Sequence, residues 1–323
     1  AEQFAHFWRM VVLLAALEGR RSLSQIARAT GERRTRQAVS HFLEEGLWDG
    51  SAILRQTAVE MLRRLGWRPG DTLYAVLDDT QQRKRGKRMD AVQKLFLHAE
   101  KVYAPAHIFV SCALVYRGVV IPYAVRLWLP QPFARQTGVP FQKLTELGAE
   151  IIAQVALPSP GKVIALFDAY YLCPVVVQAC QRRGWAYISV AKKNRNFFPQ
   201  GRSRDKHKLS RYGRNILRRD GRAVQAGGKR HRLAERVGRL SKAGEVKLVF
   251  SRRAKEKSWI AMATNETRWG ALRVLRHYLT RWPIEVLFKE SKQYLGLGDY
   301  QMLRYRGVVR YLHLALIAHL LLT

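Results

Sequence analysis

The chain has 323 residues, 48% of them hydrophobic, enough to bury a full core and to hold two or three domains. Lys and Arg number 57 against 24 Asp and Glu, a formal net charge of +33. A chain this cationic repels itself unless a polyanion offsets it, so nucleic acid is the expected partner. An anionic membrane is the weaker alternative, because no charge-free apolar run is long enough to span a bilayer.

Residues 1–69 read as helices and are expected to form a DNA-binding region. Phe7, Met10, Val11, Leu14 and Leu17 recur at helical spacing. The stretch Ser22-Leu-Ser-Gln-Ile-Ala-Arg-Ala-Thr-Gly31, followed by Arg33, Arg34, Arg36 and Gln37, resembles a helix-turn-helix. Ser22 or Ser24 would cap its first helix, Gly31 would make the turn, and the second helix would turn its basic end to DNA. An ordinary helical hairpin fits the same pattern. The start, Ala1-Glu2-Gln3-Phe4, lacks the basic region of a secretory leader, and the apolar end at Thr323 suggests that further residues follow.

Pro69-Gly70 breaks the pattern, and strands follow. Residues 73–77 form a short apolar run that ends in Asp78-Asp79-Thr80. Residues 108–116 and 119–129 read as a hairpin turning at Arg117-Gly118. Residues 141–157 have helical period, 163–167 form a buried strand that ends in Asp168, 170–183 are helical, and 185–190 are a strand. Three antiparallel strands, then helix, strand, helix and strand, match an RNase H-like core over residues 70–190. Cys112, Cys173 and Cys180 lie in apolar contexts without CxxC spacing and read as reduced thiols of a cytoplasmic protein.

Residues 191–265 read as a β-rich basic insertion. Its first half is crowded with cations, among them Lys192, Lys193, Arg195, Arg202, Arg204, Arg211 and Arg214, and is expected to be a mobile loop that contacts DNA. Its second half alternates as strands do. Residues 266–323 return to helix and complete the core. The run 308–322, broken by Arg310, His313 and His319, reads as a packed helix.

The segment Tyr278-Leu-Thr-Arg281-Trp-Pro-Ile-Glu285-Val-Leu-Phe-Lys289-Glu-Ser-Lys292 carries the sharpest signal. On a helix Arg281, Glu285, Lys289 and Lys292 share one face, while Ile284, Leu287, Phe288, Ser291 and Leu295 would pack on the sheet. Alone, this spacing usually means a surface salt-bridge ladder. Pro283 must open a new helix or kink a long one, since it cannot donate a helical hydrogen bond.

This segment resembles the Tyr-Arg-Glu-Lys signature of the DDE transposases of bacterial insertion sequences. The resemblance implies an RNase H-like α/β fold, a mixed sheet with flanking helices interrupted by a β-rich insertion. It further implies three acids holding two Mg²⁺ or Mn²⁺ ions, double-stranded DNA as substrate (transposon ends and target), and a homodimer on DNA in the bacterial nucleoid. Asp78, in an Asp-x-Thr arrangement with Thr80, would be the first ligand, with Asp79 the alternative; strand alternation lets only one of them ligate. Asp168, which could equally be a helix N-cap, would be the second ligand and Glu285 the third. In an RNase H-like sheet the strands that carry Asp78 and Asp168 are neighbours. Tyr278, Arg281, Lys289 and Lys292 would grip phosphates. Trp259 and Trp282, if not simply core, would stack a flipped base. Two cations about 3.5–4 Å apart stabilise the attacking and leaving oxygens of phosphodiester cleavage. The rival functions are a silent DNA-binding derivative and a Mg²⁺-dependent nuclease.

Overall fold

The computed structural model describes residues 2–29, 35–86, 88–200 and 205–323. Four helices open it: α1 (Glu2–Ala16), α2 (Leu23–Ala29), α3 (Thr35–Glu45) and α4 (Gly50–Arg64). Met10, Val11 and Leu14 are fully buried, as their spacing predicts. Ser22 accepts the Gln25 amide at 3.4 Å at the start of α2. Asp49 caps α4 by accepting the Ser51 and Ala52 amides, an arrangement worth about 1 kcal/mol. The expected turn at Gly31, with Arg33 and Arg34, lies outside the described residues. Arg36 is exposed in the first turn of α3.

The core sheet follows: β1 (Thr72–Arg83), β2 (Gln93–Leu97), β3 (Val102–Tyr116) and β4 (Val119–Leu127), then α5 (Gln131–Thr137), α6 (Leu144–Gln154), β5 (Lys162–Phe167), α7 (Pro174–Arg182) and β6 (Ala186–Val190). The order β4-β3-β1-β5-β6 is antiparallel on the β3–β4 side and parallel from β1 to β6. This is the mixed sheet expected of an RNase H-like fold. The β3–β4 hairpin turns at Arg117 and Gly118 with φ of 50° and 83°. Two consecutive left-handed residues are what a tight right-twisted hairpin demands.

The acid pair does not end the first strand, because the ladder to β3 continues from Tyr74↔Val115 to Arg83↔Ala106. The strand that ends there is β5, at Phe167 opposite Leu77. Nor does a helix begin near Tyr170: residues 169–171 form a turn, and α7 starts at Pro174, where a missing N–H costs nothing.

The insertion follows β6 in the chain, as expected, and prolongs the sheet. It comprises β7 (Asn196–Pro199), β8 (His207–Lys208), α8 (Leu209–Asp220), β9 (Arg222–Ala226), β10 (Lys229–Leu240), β11 (Gly244–Arg253) and β12 (Ile260–Thr264). β12 pairs antiparallel with β6, so that the twelve strands of the described residues form one sheet. The later part of the stretch expected to be a mobile basic loop is helix. α8 buries Leu209, Gly213, Ile216 and Leu217 at helical spacing and turns Arg211, Arg214 and Arg218 outward. Arg202 and Arg204 lie outside the described residues.

Three helices finish the chain: α9 (Ala271–Leu279), α10 (Pro283–Tyr294) and α11 (Tyr305–Leu322). Ile284, Leu287 and Phe288 pack with Val76, Val115, Ile164 and Leu166 on one face of the sheet. On the other face lie Leu77 and Phe167 together with residues of α6 and α7. α11 is buried along nearly its whole length and packs against α1, α3, α4 and β4. It thereby ties the N-terminal helices to the sheet. Among the described residues no helix is long and apolar enough to cross a membrane. Cys112 and Cys180 are buried, and burial pushes both thiols up to about 12.

Candidate active site

Because β5 stops opposite Leu77, Asp78 and Asp168 are the next residues of two adjacent parallel strands. Alternation along β1 sends Asp78 and Asp79 to opposite faces. Asp78 shares the Val76 face with α10, where Arg281 Nη1 donates to its Oδ2 at 2.8 Å. Asp79 shares the Leu77 face, where the Tyr171 hydroxyl donates to its Oδ1 at 3.0 Å. Burial holds the Tyr171 phenol far above its usual range, so it remains the donor.

Burial pushes the Asp78 carboxyl up to about 7; Arg281 opposes the shift, while Asp168 and Asp79 reinforce it. Asp79 is also raised by burial, against the Tyr171 hydrogen bond and with Asp168 adding to the rise. Asp78 and Asp79 are therefore held toward their neutral forms chiefly by burial, with neighbouring carboxylates adding to it. Asp168 accepts the Tyr170 and Tyr171 amides at 2.8 and 3.3 Å, capping the turn that leads to α7. Ser189 of β6 donates to its carbonyl at 2.8 Å and fixes the strand end from the other side.

The signature segment divides at its proline. α9 ends at Leu279, Pro283 opens α10 as its first residue, and Arg281 lies in the turn between them. From there its guanidinium donates to Asp78 with one nitrogen and to Glu285 with the other. Glu285, in the first turn of α10, is about one-third exposed, at 36% of its side chain. Among the described residues no three His, Cys, Asp or Glu side chains converge on a metal-sized point. Asp78 and Glu285 do not meet directly because Arg281 stands between them.

The remaining candidates are dispersed. Tyr278 is largely buried beside Arg281, with burial raising its phenol. Trp282 is 64% exposed beside Arg281, and Lys289 is exposed. Lys292 donates to Thr80 Oγ1 and the Gln81 carbonyl, each at 2.8 Å. Trp259 is buried against Phe250, with the Lys193 ammonium 4.5 Å from its ring centre. The Lys192 ammonium lies 5.8 Å from the Tyr170 ring, and Arg195 donates inward to the carbonyls of Leu172 and Ser241.

Sequence reasoning missed Tyr171 as the partner of Asp79; only the tertiary contact reveals it. It also missed a cavity of about 400 Å³ in the insertion, where Lys193, Arg214, Arg218, Arg232, Arg252 and Lys257 surround Trp259. These cations come from five separate segments, so no spacing could have announced the cavity.

No curated protein matches the chain. The model of the family described as DDE superfamily endonuclease matches residues 7–248, about three-quarters of the chain. That span contains Asp78 and Asp168 and stops short of Glu285. The mixed sheet, with Asp78 and Asp168 next to each other on adjacent parallel strands, agrees with the match: this chain belongs to the DDE superfamily endonucleases.

Proposed function

We propose that the chain is a DNA transposase of the Tyr-Arg-Glu-Lys branch found in bacterial insertion sequences, with Asp78, Asp168 and Glu285 as ligands for two Mg²⁺ or Mn²⁺ ions. The observation that carries this reading is the juxtaposition of Asp78 and Asp168 on adjacent strands, with Glu285 joined to Asp78 through Arg281. The donor set fits the ions: three carboxylates supply hard oxygens, and Asp78 is buried with Asp168 and Asp79 near it. Bound divalent cations supply Lewis acidity and activate the attacking oxygen at neutral pH.

In this reading Arg281 is the cation of the resting site. Its planar fork suits carboxylate and phosphate alike, so it can leave Asp78 and Glu285 for a phosphate oxygen of the substrate. Tyr171 occupies Asp79 on the far face, which supports Asp78 as the ligand. Water attacks the phosphorus at the element's end and the P–O3′ bond breaks, releasing a 3′-hydroxyl. That hydroxyl attacks a target phosphodiester and displaces its 3′ oxygen. One bond forms for each that breaks, so no ATP is consumed. Trp282, exposed beside Arg281, is the better placed of the two tryptophans to stack an unpaired base.

Lys289, Arg36 and the cations around Trp259 would follow the DNA backbone, and two copies would pair the two ends. The test is Mg²⁺-dependent nicking of supercoiled plasmid by wild type and by Glu285→Gln. Loss of nicking with DNA binding retained is the expected result. Equal nicking would remove Glu285 from the reaction.

A further inference from the structure

Strand β1, which carries Asp78, and helix α10, which carries Glu285, are joined by two lysines that reach in opposite directions. Lys292 of α10 reaches to β1, donating to Thr80 Oγ1 and the Gln81 carbonyl at 2.8 Å each. Lys84, the residue after β1, reaches to the loop that follows α10, donating to the carbonyls of Gly298 at 2.9 Å and Tyr300 at 3.1 Å. Its ammonium also lies 3.1 Å from the centre of the Tyr300 ring. Lys84 is only 6% exposed, and an ammonium tolerates that burial only when its protons are matched. Every one of these partners comes from residues 298–300.

The loop itself is seated tightly. A Cβ at Gly298 would collide with the Gln82 side chain. His107 of β3 shares a 2.8 Å hydrogen bond with the Tyr300 hydroxyl, and Asp299 accepts the Arg21 amide at 2.7 Å. Lys292, meanwhile, turns its charge toward β1. It is partly buried, and both of its contacts are on the strand of Asp78. Thr80 is two residues from Asp78 and shares its face, so the Lys292 contact acts directly on the height of Asp78 opposite α10.

We propose that Lys84 and Lys292 are a reciprocal pair of positioning residues that hold the Asp78 strand against the Glu285 helix. The inference rests on the reading that Asp78 and Glu285 act together. A misplacement of about 1 Å between reacting groups costs on the order of 10²-fold in rate, which sets the scale of the expected effect.

Lys84→Met and Lys292→Met keep the aliphatic stem and remove the ammonium. Each is compared with wild type for Mg²⁺-dependent plasmid nicking at saturating protein and for binding to a short random-sequence duplex across a salt series. Nicking is expected to fall by roughly 30- to 100-fold in both variants, with the dissociation constant and its salt slope unchanged in Lys84→Met. A Lys84→Met or Lys292→Met protein that nicks at the wild-type rate would overturn the proposal. Thr80→Val removes one Lys292 acceptor and spares both lysines, so it carries the test if a lysine variant does not fold; roughly 3- to 10-fold slower nicking is expected, within the same scale.

Hydrogen exchange reads the tie independently of activity. In either lysine variant the peptides covering residues 78–84 and 285–300 should both exchange faster; acceleration confined to the substituted element would sink the inference. If wild type binds DNA without nicking while both peptides still loosen in the variants, the positioning pair stands and the transposase reading falls.

Discussion

The acid cluster at β1, β5 and α10 and the cationic cavity of the insertion are electrostatic opposites. In the first, Asp78, Asp79 and Asp168 crowd together, with Arg281 as the cation in contact, and the Asp78 carboxyl is driven up to about 7. In the second, six cations surround one tryptophan with no acid lining the cavity. Arg232 Nε there is buried without a hydrogen-bond partner, although its Nη2 donates to the Arg218 carbonyl. Each region is incomplete without outside charge, and each wants the opposite sign. A phosphodiester substrate accompanied by divalent cations satisfies both at once.

The largest effect that would break this comparison is on catalysis. Asp78→Asn should abolish Mg²⁺-dependent nicking by about 10³-fold, since removing a ligand forfeits several kcal/mol of transition-state stabilisation. DNA affinity measured with EDTA present should not weaken. Retained nicking, with the corresponding loss from Asp79→Asn, would move the ligand to the other face.

Next in size is a pH effect in the metal-free protein. The folded-state value of about 7 for Asp78 lies above the unfolded value of 3.8. Between the two the folded chain binds the extra proton, so this stabilisation is present below about pH 4 and is lost as pH rises through 7. Its size is on the order of 2–4 kcal/mol. Urea denaturation with EDTA at several pH values should show wild type losing more stability across this window than Asp78→Asn. Adding Mg²⁺ at pH 8 should raise the melting temperature of wild type and leave that of the variant unchanged.

The insertion side predicts smaller changes. Arg232→Gln with Arg252→Gln should weaken DNA binding by about tenfold and flatten the salt slope by about 0.9 for each phosphate no longer neutralised. Nicking at saturating DNA should hardly change. Impaired nicking with an unaltered slope would show that the cavity shapes the catalytic face instead. Smallest of all is Lys193→Gln: removing the cation over Trp259 should cost about 0.5–1 kcal/mol of stability, measurable by urea titration monitored through tryptophan fluorescence.

Much of the core was legible because strand and helix periods differ. The Arg117-Gly118 hairpin, the buried strand ending at Phe167 and the apolar face of α10 all follow from alternation or helical spacing. The opposite orientations of Asp78 and Asp79 follow from the pleat alone. Pro283 declared its own two options, and the structure takes the first, opening α10. What misled was local polarity. Asp78 to Arg83 looked like the end of a strand, yet the β3 ladder keeps them extended. The basic crowd at residues 209–220 looked like a loop, although its four buried positions share one helical face.

By itself, then, the chain determined its periodicities, its breakers, its excess of positive charge and the identity of the acids available for chemistry, because these depend only on neighbouring residues. Three things were decided only by the tertiary structure: that β5 stops where Asp78 begins, that Arg281 stands between Asp78 and Glu285, and that Lys84 and Lys292 cross between strand and helix. Each joins segments roughly 90 to more than 200 residues apart, and such pairings follow from strand register and helix docking, which no local window of sequence contains.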